Sequence, residues 1–442
     1  MATSLEHFVT SVRNLSAEGG WRELYEFLGK SPDILMRNAE HLDHVLEILD
    51  PQLHSLGVLA VYMVKFMITN QNAVQTDVDV EGLVGKVSKF ILVCNGEQIR
   101  AAPDSFAELC SQFTQYLVDK KMPARGILPL AQAIRKARMN ENQLTSIHSH
   151  FLQLCLMAQN LRPALEFINL DISDINSEHG YFDAKHFLLY YYYCGTTSAA
   201  LKNFELALYG FEVALTTPSS AVSHIMLESY KKYILVSLII HGKVIPLPKY
   251  TSQLVNRLLR PMSAVYHEIA SAFSTNKPAS LEATLMKHKD ALQRDNNWGL
   301  AKQVQQSLYK KVIQRLTQTF LTLSLSDMAM RVQLQSVADA EKLVLSMIDR
   351  GEIYASISQK DGMVLFHENP DKYDSTSTVE RLQSEVDLCI ELDTKIQRME
   401  ESICTNPLFV KKATGILDEE DASRNASLQT SSGPTKIPSF AM

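Results

Sequence analysis

The chain has 442 residues, 46% hydrophobic and 21% charged, which leaves room for two or three folded domains and rules out a low-complexity or collagen-like composition. A formal net charge of −6 gives no global reason to expect nucleic acid, and only 17 Gly and 15 Pro favour long helices with short connections. The six cysteines, Cys94, Cys110, Cys155, Cys194, Cys389 and Cys404, form no C-x-x-C pair and read as reduced thiols in an intracellular compartment.

At the N-terminus, MATSLEHFVTSVRNL has no basic region and no apolar core, so no signal peptide is expected. The N-x-S matches at Asn14 and Asn425 are then fortuitous. Gly29-Lys30-Ser31 looks like the end of a phosphate-binding loop, but the glycine required five residues earlier is Leu24. His41 and His44 share a helix face, with no carboxylate or cysteine pair to complete a zinc site. The longest apolar stretch, 53–68, is interrupted by His54, Ser55, Gly57 and Lys65. It is too short and too polar to span a bilayer and is expected to be a buried core helix.

From about residue 5 to 300 the sequence reads as successive amphipathic helices, most of roughly 12–25 residues with their turn. Breaks fall near Gly19-Gly20, Ser31-Pro32, Asp50-Pro51, 70–79, Pro103, Pro123, Pro163, Gly180, Gly195, Pro218, 242–248 and 276–278. Antiparallel helix pairs stacked side by side satisfy this pattern. Within it, NFELALYGFEVALTTP places Phe204, Ala207, Phe211, Ala214, Leu215 and Pro218 in the second-helix pattern of a tetratricopeptide-like repeat. There the alanines admit a neighbouring helix and the rings fill the groove.

His148-Ser149-His150 is tested against the H-x-H of metal-dependent isopeptidases. The aspartate that should follow ten residues later is Leu161, and the segment reads as a helix, so catalysis there is rejected. H-E-x-x-H, G-x-S-x-G and a Gly-rich dinucleotide loop are all missing. The run Tyr190-Tyr191-Tyr192-Tyr193 points round a whole helix and is expected to pack on most sides, with hydroxyls reaching polar rims.

The apolar period changes after Ile348. From Gly351 it alternates in twos, so Ile353, Ala355 and Ile357 share one face of a short strand. Gln359-Lys360-Asp361-Gly362 reads as a turn, and Met363 to Phe366 as the returning strand. Helices followed by one hairpin make a winged helix, and this hairpin is the only clear β signal in the chain. Between residues 301 and 370 eight cations meet seven anions, and the would-be recognition helix, 336–350, carries Asp339, Glu341 and Asp349 against Lys342 and Arg350. Such a helix reads phosphate poorly, so a protein-docking winged helix is favoured over a nucleic-acid binder.

Residues 378–404 form a further helix. Leu382, Val386, Cys389, Leu392, Ile396, Met399 and Ile403 step by three and four along one face, an a/d-like seam that either folds back on its own chain or, the favoured reading, bundles with partner helices. From Lys411 the periodicity is lost, and the acidic run 418–421 with the Ser/Thr/Gly/Pro residues after it reads as a disordered tail. The expected organisation is helical repeats over 1–300, a winged helix over 301–370, a bundling helix over 371–410 and a tail over 411–442.

YKKVIQRLTQTFLTLSLSDMAMRVQL and AEKLVLSMIDRGEIYASISQKDGMVLFHENP together resemble the winged-helix half of a PCI domain. That domain is shared by scaffold subunits of the proteasome lid, the COP-nine signalosome and translation initiation factor three. AVSHIMLESYKKYILVSLIIHGKV, LPKYTSQLVNRLLRP, RDNNWGLAKQVQQSLYKK, NQLTSIHSHFLQLCLMAQ and DAKHFLLYYYYCG are similar to the third-subunit family of the signalosome. The similarity extends over nearly all of residues 1–410.

The resemblance implies a mainly α fold: a right-handed, tetratricopeptide-like solenoid whose part from about residue 197 is the helical half of the PCI domain. A winged helix with a small hairpin and a C-terminal helix complete it. It implies a non-catalytic subunit of the cytoplasm and nucleus, with no catalytic residue, cofactor or metal. Its partners are the other PCI and MPN subunits, with cullin–RING ligases reached indirectly through removal of a ubiquitin-like modifier from cullins. Direct nucleic-acid and membrane partners are not expected. Winged-helix sheets of such subunits associate laterally and their C-terminal helices bundle. The expected interface residues are therefore Ile353, Tyr354, Ala355, Ser356, Ile357, Val364 and Phe366 at the winged-helix edge, and Leu382, Val386, Cys389, Leu392, Ile396, Met399 and Ile403 on the last helix. The alternatives are a scaffold subunit of the proteasome lid and a winged-helix nucleic-acid binder.

Overall fold

The computed structural model describes residues 2–71, 80–170, 172, 174–175, 183–219, 221–334, 336–368 and 375–413. Most of the break expected over 70–79, the break at Gly180, the Asn369-Pro370 end of the winged helix and the tail beyond 413 lie outside the described residues. The chain divides into two compact units, Met1–Ile353 with Ile357–Val364, and Tyr354–Ser356 with Leu365–Met442.

The first unit begins with α1 (Ala2–Glu18), α2 (Trp21–Gly29), α3 (Pro32–Arg37), α4 (Leu42–Ile48) and α5 (Ser55–Gln71). As expected from its apolar run, α5 is a core helix: Leu56, Val58, Leu59, Val61, Val64 and Phe66 are all buried. Next come α6 (Val80–Val93), α7 (Gly96–Ala101), α8 (Pro103–Asp119) and α9 (Ala124–Ala137). The Lys136 ammonium of α9 donates to the carbonyls of Ile91, Leu92 and Cys94 at 2.9, 2.7 and 2.8 Å, so a cation closes the C-terminus of α6, where the helix dipole is negative. The Gln98 amide of α7 likewise satisfies two groups near the start of α5, donating to Leu53 O and accepting from Leu56 N.

After α9, β1 (Gln143–Leu144) pairs in parallel with β2 (Asp174–Ile175), and α10 (Ile147–Met157) and α11 (Leu165–Ile168) lie between them in the chain. The hairpin is therefore not the only β structure; strands this short leave no alternating pattern to read.

The repeat-like segment forms α12 (Ala184–Ala200) and α13 (Phe204–Thr216), followed by α14 (His224–His241). Ala207, Phe211, Ala214 and Leu215 are buried, as the pattern predicts. Two glycines also sit at a close approach. A β-carbon on Gly210 would lie 3.0 Å from both Gly195 N and Tyr191 O, and one on Gly195 would meet the Phe211 ring at 2.7 Å. Helix α14 is buried from Tyr230 to Leu238, with apolar residues on every side and the ion-paired Lys231 and Lys232 among them.

Helices α15 (Gln253–Met262), α16 (Ala264–Ser274), α17 (Pro278–Lys287), α18 (Lys289–Arg294) and α19 (Trp298–Thr317) complete the helical region. A polar cross-link ties three of the elements here. Lys231 of α14 reaches Glu228 at 2.7 Å and Asp295 at 2.9 Å; the Tyr266 hydroxyl of α16 donates to Asp295 at 2.7 Å. One apolar core is contiguous from Phe8 to Leu308.

The chain then adds β3 (Thr322–Ser324), α20 (Leu325–Val332), α21 (Val337–Asp349), β4 (Ala355–Ser358) and β5 (Met363–Phe366). The antiparallel sheet has three strands in the order β3-β5-β4, one more than the hairpin read from the sequence. Last come α22 (Thr376–Thr405) and α23 (Pro407–Ala413). Among the described residues no helix is long and apolar enough to cross a membrane.

Candidate assembly surfaces

The winged helix is built by local signals that the sequence carries. Ser324 and Ser336 cap α20 and α21, each accepting from the backbone N–H three residues on. Ser336 also donates to Asp339 at 2.7 Å, fixing the α21 entry. Gly351, with φ +69°, ends α21, and Glu352 N returns to Met347 O at 2.8 Å. Gly362, with φ +60°, supplies the left-handed residue of the hairpin turn, next to Asp361, which accepts from Ser358 Oγ at 3.0 Å. Leu325, Met328, Val332, Ala340, Val344, Met347 and Val364 are buried.

Because β5 is the middle strand, β4 is an edge. His367 N donates to Tyr354 O at 2.8 Å, which fixes the phase of the ladder. In an antiparallel pair the backbone groups of alternate residues face the partner. Those of Tyr354, Ser356 and Ser358 therefore face β5, and those of Ala355 and Ile357 face outward. The seven expected edge residues are thus not equivalent. Ala355 and Ile357 carry the open backbone groups. Tyr354 and Ser356 have exposed side chains. Ile353, which precedes β4, and Val364 and Phe366 on the central strand are buried.

Helix α22 has a different character. It runs for 30 residues with no buried side chain. Its start is capped by Ser375, which accepts from Thr378 N, and its flanks carry pairs four residues apart, Gln383 with Asp387, Glu391 with Lys395, and Asp393 with Gln397. The expected seam lies on it in full: Leu382, Val386, Leu392, Ile396, Met399 and Ile403 are 48–63% exposed, and Cys389 is exposed too. Val379, Leu388 and Ile390 widen the stripe, and Leu408, Phe409 and Val410 of α23 are likewise exposed.

The motifs tested for chemistry have structural settings. Ser31 Oγ donates to Phe27 O at 2.8 Å and so closes α2. His41 and His44 are exposed, His44 lying 3.6 Å from Glu47. His148 and His150 lie on α10, a helix as expected. His148 is wholly buried; its Nδ1 accepts from Thr145 N at 3.1 Å, and its ring sits edge-on to Phe167 and Tyr190. Burial pushes both histidines down to about 4, so both rings are held neutral at neutral pH. Burial pushes the Cys155 and Cys194 thiols up to about 12, which keeps them from acting as thiolates. Among the described residues no group of three or more His, Cys, Asp or Glu side chains could hold a metal ion. Of the four tyrosines, Tyr190 and Tyr191 are buried and Tyr192 and Tyr193 half-buried. The Tyr190 hydroxyl does not reach a rim but donates to Phe167 O at 2.8 Å inside the stack.

Comparison with known proteins gives a consistent result. Residues 18–255 match the family described as COP9 signalosome complex subunit 3, N-terminal helical repeats, and residues 285–368 match the PCI domain. The chain is 44% identical over 440 residues to the COP9 signalosome complex subunit 3 of Drosophila melanogaster, covering 96% of this chain and 98% of that protein. It is 35% identical over 385 residues to the subunit of the same name from Dictyostelium discoideum, covering 87% and 90%.

Proposed function

Since the chain belongs to the COP9 signalosome complex subunit 3 family, we propose that it is a non-catalytic scaffold subunit of that complex. It works in the cytoplasm and nucleus beside other PCI and MPN subunits. The assembled particle removes a ubiquitin-like modifier from cullins and so regulates cullin–RING ligases, while the metal chemistry belongs to an MPN-type subunit. The domain division that fits this role is repeats over 1–300, winged helix over 301–370 and bundling helix over 371–410.

The single observation that carries the reading is α22, a 30-residue helix with no buried side chain and an apolar stripe along one side. Each aliphatic side chain taken out of water contributes roughly 1.5–3 kcal/mol. A stripe of this length is therefore a strong drive to bundle with partner helices through Leu382, Val386, Cys389, Leu392, Ile396, Met399 and Ile403. The second contact is strand addition at β4, with Ala355 and Ile357 offering backbone groups to a neighbouring winged helix and Tyr354 and Ser356 lining the contact. Ile353, Val364 and Phe366 support that edge from within.

Crosslinking mass spectrometry on the complex purified through this chain tests the reading. Crosslinks are expected from Lys395 to helices of other subunits and from Lys360, in the hairpin turn, to another winged helix. Crosslinks from both lysines confined to this chain's own repeats would overturn it.

A further inference from the structure

A cleft of about 1020 Å³ lies among the C-terminal end of α14, one side of α19 and the outward side of α21. Its cations outnumber its carboxylates: Lys202, Lys310, Lys311, Lys342 and Arg350 against Asp339 and Glu352. The two acids are already engaged. Glu352 accepts from Lys310 at 2.6 Å and lies 3.9 Å from Arg350, and Asp339 accepts from Ser336. Lys202 reaches the neutral Gln303 Oε1 at 2.6 Å, and Lys311 reaches Gly242 O at 3.1 Å and lies 5.2 Å from the centre of the Phe273 ring. Lys342 is exposed at the rim with its charge unmatched by any lining carboxylate.

Between the cations the walls are of two further kinds. Gln303, Gln306 and Gln314 project from α19, and Phe204, Ile240 and Leu343 supply apolar surface. Carboxamides offer a donor and an acceptor each, the complement of a peptide backbone. A phosphate cluster has no donors to give amide oxygens and no use for apolar walls. A nucleic-acid duplex fares no better, since a reading helix must enter a groove about 12 Å wide with its face free. Here the Lys342, Ser346 and Arg350 side of α21 looks across the cleft at α14 and α19.

We propose that this cleft docks an acidic peptide segment of another protein, its carboxylates on Lys202, Lys342 and Arg350, its backbone on the α19 amides and its apolar side chains between Ile240 and Leu343. The site is separate from the β4 edge and the α22 seam, so it stands or falls without them.

The test is fluorescence anisotropy of the full chain with a labelled Leu-Glu-Asp-Leu-Glu-Asp-Leu-Glu peptide. The Gln/Asn version of the peptide, tripolyphosphate and a short DNA duplex serve as rivals. Binding should weaken as salt rises and should be lost in the Gln/Asn peptide. Lys342→Glu with Arg350→Glu should weaken it by about tenfold or more, the milder pair Lys342→Gln with Arg350→Gln by less. Gln306→Ala with Gln314→Ala should weaken it without changing the salt dependence. Lys30→Glu with Arg37→Glu, an equal charge change far along the chain, should leave it alone. The proposal is overturned if the peptide does not bind, if the distant pair weakens it equally, or if tripolyphosphate or the duplex binds where the peptide does not.

Discussion

Helices α14 and α22 are both rich in aliphatic side chains, yet one is walled in and the other bare. In α14 apolar residues appear on every side, and the helix is buried by α13, α16 and α19 within one chain. In α22 they keep to one stripe, with acids and amides on the remaining surface, and no side chain is buried. The arrangement of apolar residues, more than their number, separates a helix that completes a core from one whose apolar stripe is left exposed. The same contrast holds more widely. The cluster from Phe8 to Leu308 is buried within the chain, whereas α22 has no buried side chain.

The largest effect should come from α22. Leu382→Asp with Ile396→Asp should release the chain from its complex in size-exclusion chromatography, since each substitution removes roughly 1.5–3 kcal/mol of burial and places a charge in an apolar seam. Thermal unfolding of the isolated chain should be unchanged, because neither side chain is buried in it. A complex of normal size would show that the stripe is no assembly element. Next, Phe211→Ala in α13 should do the opposite. It empties a fully buried site and should lower chemical-denaturation stability by about 3–5 kcal/mol.

Acid should act on the buried region alone. His148 falls from 6.5 to about 4 on folding because burial disfavours its charged form. Its neutral, buried state is fully favourable above pH 6.5. As pH falls from 6.5 towards 4 the unfolded chain binds the proton first, and stability drops by on the order of 3 kcal/mol. Denaturant titrations at pH 7 and pH 5 on the wild type and on His148→Phe measure this, and an equal loss in both would assign the acid sensitivity elsewhere. The smallest effect belongs to the sheet edge. Ala355→Pro removes one outward N–H, so the winged-helix contact should weaken by about 1 kcal/mol while the isolated chain keeps its melting temperature. A proline at Ser356, whose N–H faces β5, should instead lower that temperature.

Much of this was legible in the sequence where the signal was local and long. The seam of α22 repeats over three heptads and lies on the expected face from Leu382 to Ile403. The hairpin was legible because Asp361-Gly362 and the alternation around it are unusual in a helical chain. β3 was not, because Thr322 to Ser324 is too short to show a period and depends on β5 for its existence. With β3 in place, Val364 moves from an edge to the centre of a sheet, which no pattern within 353–366 announces. The Gly195–Gly210 approach and the cationic cleft, which draws residues from Lys202 to Glu352, are products of tertiary contact and have no local signature.

The stripe on α22 has one more consequence, a matter of handedness. Its residues recur every 3.5 positions, whereas a straight α-helix turns every 3.6, so the stripe rotates by about 20° per heptad around the helix. Between Leu382 and Ile403 that makes a slant of roughly 60°, and a straight rod laid on one end would miss the other. Helices that cover the stripe from end to end must therefore wind round it as a left-handed supercoil.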